Sequence, residues 1–171
     1  MRLRELEKKD APLMFEWMQD QNVIQALAAD FGHMKIENCL AFIESARVDE
    51  NNKHFAIVDD QDEYLGTISL KNIDWKNKTG EYAISIRSKA MGTGVARNAT
   101  EELLRRAFTE MEINKVYLCV FPENIRARKF YEKCNFVYEG TFRNHIITPD
   151  GMVHDLMWFS IIKEEYLSED R

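Results

Sequence analysis

The sequence predicts a mixed α/β domain, built on a mostly antiparallel, twisted sheet of about seven strands flanked by four helices. One observation is that short runs of residues alternate between apolar and polar, as in half-buried strands, while longer runs repeat apolar residues at helical spacing. Another is that the 171 residues include only 7 Gly and 3 Pro and contain no linker or internal repeat. We therefore expect residues 1–171 to form a single domain.

Composition limits the class of function. The net charge of -6 argues against a general nucleic-acid binder, whose surface usually carries a basic face. The cysteines are odd in number and widely spaced, which favours free thiols in a reducing cytosol, and the histidines lack the spacing of metal ligands. The N-terminus has no signal-peptide pattern, and no run approaches the ~18 apolar residues that span a bilayer. We expect a cytoplasmic protein with no metal, nucleic-acid or membrane partner.

The first fifty residues predict one strand and two helices. Residues 2–6 alternate like a half-buried strand. Asp10 is the predicted cap of a first helix, which has Pro12 in its first turn. Apolar residues at helical spacing predict a second helix over about 36–48.

The middle of the chain predicts an antiparallel meander of three strands. The runs 54–58 and 64–70 are strand-like, and the acidic stretch 59–63 between them is typical of a hairpin turn. A polar turn then leads into a third strand at 80–86.

The second half predicts helices alternating with strands. Apolar residues at helical spacing mark the first helix as one that packs on the sheet. Asn135 tolerates the left-handed conformation that ends the second helix. The predicted elements are a helix at 96–110, a strand at 116–120, a helix at 125–133, and strands at 136–147 and 152–162.

The segment Met91–Ala96 lies between a predicted strand and a predicted helix. Its small residues let the backbone approach a ligand closely, and the exposed N–H groups and dipole of a helix N-terminus favour an anion such as pyrophosphate. The alternative is a tight turn that binds nothing. The predicted ligand-binding residues here are Gly92, Thr93, Gly94, Val95 and Ala96.

Two other phosphate-binding loops fit this segment poorly. A Walker loop needs Gly-Lys-Ser/Thr after its second glycine, which this sequence lacks. A dinucleotide-binding fingerprint needs Gly or Ala where this chain has Arg97, and it opens a βαβ unit instead of following a meander. A nucleotide-binding oxidoreductase is therefore the weaker interpretation.

A second motif follows the strand at 116–120. Asn124, Ala127 and Tyr131 have the spacing Asn-x-x-Ala-x-x-x-Tyr, and Phe136 opens the next strand. Together with the glycine loop that precedes it, this pattern resembles the GNAT superfamily of N-acetyltransferases over essentially the whole chain. The resemblance implies the GNAT fold, with acetyl-CoA as co-substrate and no metal.

Within that superfamily the chain is most similar to the branch of ribosomal-protein-alanine, spermidine and amino-sugar N-acetyltransferases. The segments Leu3–Leu6, Phe15–Trp17 and Glu139–Arg143 support this likeness. Two positions depart from the superfamily pattern. Met91 stands where Gln or Arg is usual, and Asn135 replaces a Gly whose backbone conformation Asn also tolerates.

The resemblance also assigns binding roles. The backbone of Ile84 and Ile86 would hold the pantetheine arm, and the N–H of Ile86, give or take one residue, would stabilise the oxyanion. Asn124 and Ala127 would contact the same ligand. As a bare sequence feature, Asn124 is equally well explained as a helix cap.

Two residues are candidates for proton transfer. Tyr131 matches the position of the general acid that protonates the coenzyme A thiolate, and its alternative is a core aromatic on an amphipathic helix. Glu81 opens the strand that leads to the glycine loop, where related enzymes often place a base. A solvated cross-strand carboxylate explains Glu81 equally well.

The sequence therefore predicts an N-acetyltransferase that moves acetyl from acetyl-CoA to a primary amine by direct attack in a ternary complex. The acceptor is a protein N-terminus, an amino sugar, a polyamine or another small amine. The alternative is a non-catalytic acyl-CoA-binding or regulatory module of the same fold. The apolar strand Leu156–Phe159 is a candidate interface for a homodimer.

Overall fold

A computed structural model describes residues 1–24 and 31–169 of the chain. Its centre is one seven-stranded sheet in the order β1-β2-β3-β4-β5-β7-β6. Neighbouring strands are antiparallel, except β4 and β5, which are parallel. The mixed, mostly antiparallel sheet of the prediction is therefore confirmed. The strands are β1 (Arg2–Glu5), β2 (Lys53–Val58), β3 (Tyr64–Asp74), β4 (Thr79–Ile86), β5 (Lys115–Val120), β6 (Val137–Ile147) and β7 (Val153–Ile162).

Helices cover both faces of the sheet. Among the described residues there are six α-helices, two more than predicted, because the short α2 and α6 have no clear periodicity in the sequence. The predicted helix at 96–110 is present, although its last turn, 106–110, is a π-helix. The helices are α1 (Ala11–Met18), α2 (Gln21–Ile24), α3 (Ile36–Ala46), α4 (Val95–Arg105), α5 (Ile125–Lys133) and α6 (Lys163–Glu169).

Two apolar cores lie on opposite faces of the sheet. The first packs α4 against the strands, and the predicted sheet-facing residues of that helix are fully buried. The second packs α1 and α3 against the other face. Tyr82 on β4 points into the first core, so Ala83 and Ser85 point toward the second, because side chains alternate along a strand. The buried residues of the predicted α4 face are Ala99, Leu103, Ala107 and Phe108.

One local prediction is wrong. The side chain of Asp10 does not cap α1. Instead its carboxylate accepts two hydrogen bonds of 2.8 Å from the Arg4 guanidinium and one of 2.8 Å from the Glu7 N–H. Asp10 is only 1% exposed, so its charge requires a buried partner, and the guanidinium of Arg4, whose side chain is 9% exposed, provides one.

The prediction for Asn135 is confirmed. Asn135 has a left-handed backbone at φ 64 and ends α5 as expected. No helix among the described residues is both long and apolar enough to cross a bilayer.

Candidate active site

The site begins where β4 and β5 diverge. The two strands pair in parallel only over 79–81 and 115–117. Beyond that point β5 stays paired with β7 as far as Val120, while β4 continues alone on that side to Ile86. A gap therefore opens beside the second half of β4.

The backbone of β4 points into this gap at alternate residues. Ile86 lies opposite Gly66 on β3, and the next N–H, that of Arg87, donates to the Leu65 carbonyl at 2.9 Å. Bonded and non-bonded pairs alternate in an antiparallel ladder, so Ile84 and Ile86 are the non-bonded positions toward β3. Their N–H and C=O groups face the gap, and those of Ser85 do not. This places Ile84 and Ile86, the two residues predicted to hold the pantetheine arm, at the open edge.

The glycine loop lies at the end of β4. Gly92 and Gly94 have φ of +78° and +86°, a left-handed region that L side chains rarely adopt. Gly94 immediately precedes α4, whose first N–H groups have no partner within the helix. The side chains of Thr93 and Val95 point away from the gap. The Thr93 hydroxyl donates to the Ala90 carbonyl at 2.7 Å, and the Val95 side chain packs on the core.

α5 closes the gap from the other side. The Asn124 side chain accepts from the Ala127 N–H at 3.1 Å, so it caps the helix, as the alternative explanation of this residue expected. One turn later, Tyr131 lies edge-on to Tyr82, with ring centroids 5.9 Å apart. Burial raises the pKa of Tyr131 to about 12, so its phenol is neutral near pH 7.

These elements enclose a cleft of about 400 Å³. That volume lies within the usual range for small-molecule sites. Eight of the predicted site residues line it, whereas Thr93, Val95 and Glu81 do not. The eight are Ile84, Ile86, Gly92, Gly94, Ala96, Asn124, Ala127 and Tyr131.

The cleft also contains residues outside the predicted set. Asn22 and Val23 come from α2, a four-residue helix that the sequence pattern did not reveal. Arg97 and Arg126 are the charged residues among the described lining, and no carboxylate accompanies them there. Arg97 is paired with Glu101 at 2.9 Å, so the positive charge that this lining offers an anionic ligand such as a phosphate comes chiefly from Arg126.

Glu81 lies apart from this cleft. Its carboxylate accepts from the Lys71 ammonium at 3.1 Å and from the Asn72 side-chain amide at 2.7 Å. Because side chains alternate along β4, Glu81 points to the face opposite Tyr82. The structure thus separates the two residues predicted to transfer protons, placing them on different faces of the sheet.

Comparison with known proteins agrees with this architecture. A family model for the acetyltransferase (GNAT) domain matches residues 1–137. YdaF of Bacillus subtilis (strain 168), provisionally named a ribosomal N-acetyltransferase, is 35% identical over 104 residues, which cover 61% of this chain and 56% of that protein. A spermidine N(1)-acetyltransferase of Vibrio cholerae is 30% identical over 123 residues, covering 70% of this chain and 69% of that protein. A crystal structure of spermidine N-acetyltransferase from Vibrio cholerae in complex with CoA and spermine has a TM-score of 0.87, with 25% identity and 97% of each chain covered.

Proposed function

The chain belongs to the GNAT family of acetyltransferases, and from this premise we propose that it transfers acetyl from acetyl-CoA to a primary amine by direct attack in a ternary complex. It is an acetyl-CoA-dependent N-acetyltransferase. The relatives named for spermidine and for ribosomal acetylation both have amine acceptors, which supports an amine here. The acceptor classes are a protein N-terminus, an amino sugar, a polyamine and another small amine.

One observation carries the proposal. A single cleft combines an unpaired strand edge at Ile84 and Ile86, a helix N-terminus preceded by Gly94, and the phenol of Tyr131. A pantetheine arm is a chain of amides that can extend a sheet edge, and a pyrophosphate suits N–H groups at a helix start. Arg126, in the lining of the same cleft, adds positive charge.

The reaction needs few groups from the protein. The amine nitrogen bonds to the thioester carbonyl carbon, the carbon–sulfur bond breaks, and the sulfur leaves with the bonding pair. In our proposal the Ile86 N–H donates to the carbonyl oxygen as negative charge develops there, an interaction typically worth about 3 kcal/mol. Tyr131 then gives its proton to the departing sulfur, and the phenolate takes up a proton from water before the next turnover. Holding both substrates together supplies much of the remaining acceleration.

Glu81 remains our candidate for the base that takes the proton lost by the amine. The side chain of Glu81 lies on the same face of β4 as those of Ala83 and Ser85. An amine that approaches the gap from that face is therefore on the same side of the sheet as the Glu81 carboxylate. Three residues of extended strand separate it from Ile84, a distance of about 10 Å at ~3.3 Å per residue. The proton would therefore travel through water.

A coenzyme A release assay tests this function. The protein is mixed with acetyl-CoA and a panel of amines comprising peptides with free N-termini, amino sugars, polyamines and simple monoamines. We expect amine-dependent thiol release and a matching acetylated product. Tight acetyl-CoA binding without turnover on any amine would instead support the non-catalytic module. A melting-temperature increase with NAD(P) but not with acetyl-CoA would support the oxidoreductase.

We further propose that residues 1–171 act as one domain and that two copies pair through the β6–β7 hairpin. Phe159, in the predicted interface Leu156–Phe159, is only 1% exposed, so that strand does not form an open apolar face. Other residues of the hairpin do present apolar side chains to solvent, with Phe142 48%, Ile147 70% and Val153 51% exposed. An apolar surface of this kind is typical of a protein interface. Light scattering across a concentration series measures the mass directly, and a monomer at every concentration would contradict the dimer.

A further inference from the structure

A second cavity lies on the opposite face of β4 from the proposed coenzyme A cleft. It has a volume of about 240 Å³ and lies between the sheet and the helices α1 and α3. Ile84 and Ser85 line both spaces, so the gap beside β4 is the place where the two meet. A molecule held in this second cavity therefore reaches the proposed thioester from the face opposite Tyr131.

The walls of the second cavity are mostly apolar. Helix α1 contributes sulfur and indole groups, and α3 contributes a thiol and a phenyl ring that lies edge-on to His54, with centroids 4.7 Å apart. Thioether and aromatic walls adapt to flat or irregular apolar groups. These wall residues are Met14, Trp17, Met18, Met34, Cys39 and Phe42.

The floor of the cavity carries hydroxyl groups. The Trp17 indole N–H donates to the Tyr64 hydroxyl at 3.1 Å, and the Tyr64 and Thr67 hydroxyls share a hydrogen bond of 2.6 Å in which either oxygen can be the donor. The Thr67 hydroxyl lies in the lining of the cavity, where it is a polar group that a ligand can approach. Next to it, Ser69 Oγ lies 2.7 Å from His54 Nδ1.

Charge in this cavity is unfavourable for a polycation. No aspartate or glutamate is among the described residues that line it, and Lys71 is the cation there. The Lys71 ammonium and the Glu81 carboxylate at its edge form an ion pair at 3.1 Å, so this carboxylate is not free to receive another ammonium. Burial lowers the pKa of His54, which keeps the imidazole neutral near pH 7.

We propose that this cavity binds the body of the acceptor, and that the acceptor is a monoamine with a neutral, mostly apolar body about the size of one aromatic ring. This inference rests on the proposed acetyltransferase function and narrows its acceptor. A polyamine would place a second ammonium in a desolvated space whose described lining has no carboxylate, while the nearby Glu81 is already paired with Lys71. A neutral ring instead buries apolar surface against Trp17 and Phe42 and has only one charge, on the reacting amine.

Steady-state kinetics with two amines test the inference. At saturating acetyl-CoA, we expect kcat/KM for 2-phenylethylamine to exceed that for spermidine by at least about tenfold, which is within the discrimination a single pocket can provide. Lys71→Gln removes the cation and leaves Glu81 unpaired, so the ratio should move toward spermidine. Lys78→Gln is the matched control, because it removes a surface ion pair with Glu112 away from the cavity.

The outcomes separate the two proposals. If the wild-type protein acetylates spermidine as well as or better than 2-phenylethylamine, the apolar acceptor is wrong and the acetyltransferase stands. If Lys71→Gln and Lys78→Gln change the ratio equally, the charge argument for this cavity is wrong. If no amine of the panel is acetylated, both the inference and the proposed function are overturned.

Discussion

At the scale of single residues, the phenol of Tyr131 is suited to giving a proton and not to taking one. Its pKa of about 12 results chiefly from burial, so the hydroxyl stays protonated throughout the neutral range. Edge contacts with Tyr82 and Phe136, at centroid distances of 5.9 and 6.0 Å, fix the ring within the cleft. A phenol that is protonated at neutral pH has a proton available for the departing sulfur, which is the role that we propose for Tyr131.

We expect Tyr131→Phe to lower kcat by roughly 10²- to 10⁴-fold, the usual contribution of a positioned acid or base. The ring contacts survive this substitution, so coenzyme A affinity, measured by calorimetry, should barely change. Tyr138→Phe is the matched control, since it removes a hydroxyl that pairs with Thr141 on the exposed hairpin. A Tyr131→Phe enzyme with the wild-type kcat would remove Tyr131 from the mechanism.

Some contacts of single residues could be predicted from the sequence, and others could not. The spacing of Asn124, Ala127 and Tyr131 was enough to bring all three to one cleft, because a helix fixes their relative positions. The partner of Glu81 was not predictable, because the cross-strand register of β3 and β4 decides that Lys71 lies opposite. The pairing of Asp10 with Arg4 was not predictable for a similar reason. The fold brings the Arg4 guanidinium to the Asp10 carboxylate, which the sequence pattern had assigned to a helix cap.

At the scale of elements, the turn into α4 depends on left-handed glycine. We expect Gly94→Ala to cost about 1–2 kcal/mol of stability, the usual strain of an L residue in that conformation. The same change should raise KM for acetyl-CoA, because the displaced backbone carries the proposed phosphate donors. The measurements are chemical denaturation and steady-state kinetics.

Gly151→Ala is the control for this substitution. Gly151 has φ +82° at the β6–β7 turn, so it carries equal strain far from the cleft. It should lose similar stability and keep its KM. Equal changes of KM in both variants would show that the loop at Gly94 has no special part in binding.

Gly66 on β3 lies very close to the backbone of β4 beside the gap. A Cβ at Gly66 would meet the Ser85 carbonyl oxygen and would lie 2.9 Å from the Ile86 Cα, which are backbone atoms of the proposed site. We expect Gly66→Ala to push β4 toward the gap, lowering both the melting temperature and the affinity for coenzyme A. Thermal denaturation with and without coenzyme A measures both effects.

Gly80→Ala provides the comparison for Gly66→Ala. Its added Cβ would crowd the Leu70 side chain at 2.7 Å, in the paired half of β4 away from the cleft. We expect it to lower the melting temperature while preserving the stabilisation that coenzyme A gives. Loss of that stabilisation in both variants would mean that any disturbance of β4 abolishes binding.

The longer helices were predictable, and the two shortest α-helices of the described chain were not. The meander, α4 and the final hairpin each carry enough residues for their periodicity to be read. The helix α2 has four residues and α6 has seven, so neither completes enough turns to show an apolar face. The missed prediction of α2 affects the candidate site, because this helix contributes Asn22 and Val23 to the cleft.

At the scale of the whole molecule, the second cavity is a feature that could not be predicted from the sequence. Its walls come from α1 and α3, and its floor comes from β2, β3 and β4. None of these residues forms a motif with its sequence neighbours, since each is an ordinary core position of its own element. The cavity exists because α1 and α3 leave part of the β2–β4 surface uncovered beside the gap.

His54, at the floor of that cavity, also links stability to pH. Burial lowers its pKa from the ordinary 6.5; Asp49 opposes this shift and Lys71 adds to it. In the unfolded chain the imidazole binds a proton below about pH 6.5, while in the folded protein it resists doing so. The unfolded state therefore takes up more protons as the pH falls, and stability decreases from pH 6.5 downward.

We expect the melting temperature to fall between pH 7.5 and 5.5, by about 2–4 °C for each kcal/mol lost in a domain of this size. His54→Gln should flatten that decrease, since it removes the group that titrates. His33→Gln, at an exposed position, should retain it. A second decline is expected below about pH 4.5, where protonation reaches Glu102, whose pKa Arg105 and Arg106 lower to about 2. An equal decrease in the wild type and in His54→Gln above pH 5.5 would rule out the buried imidazole as its source.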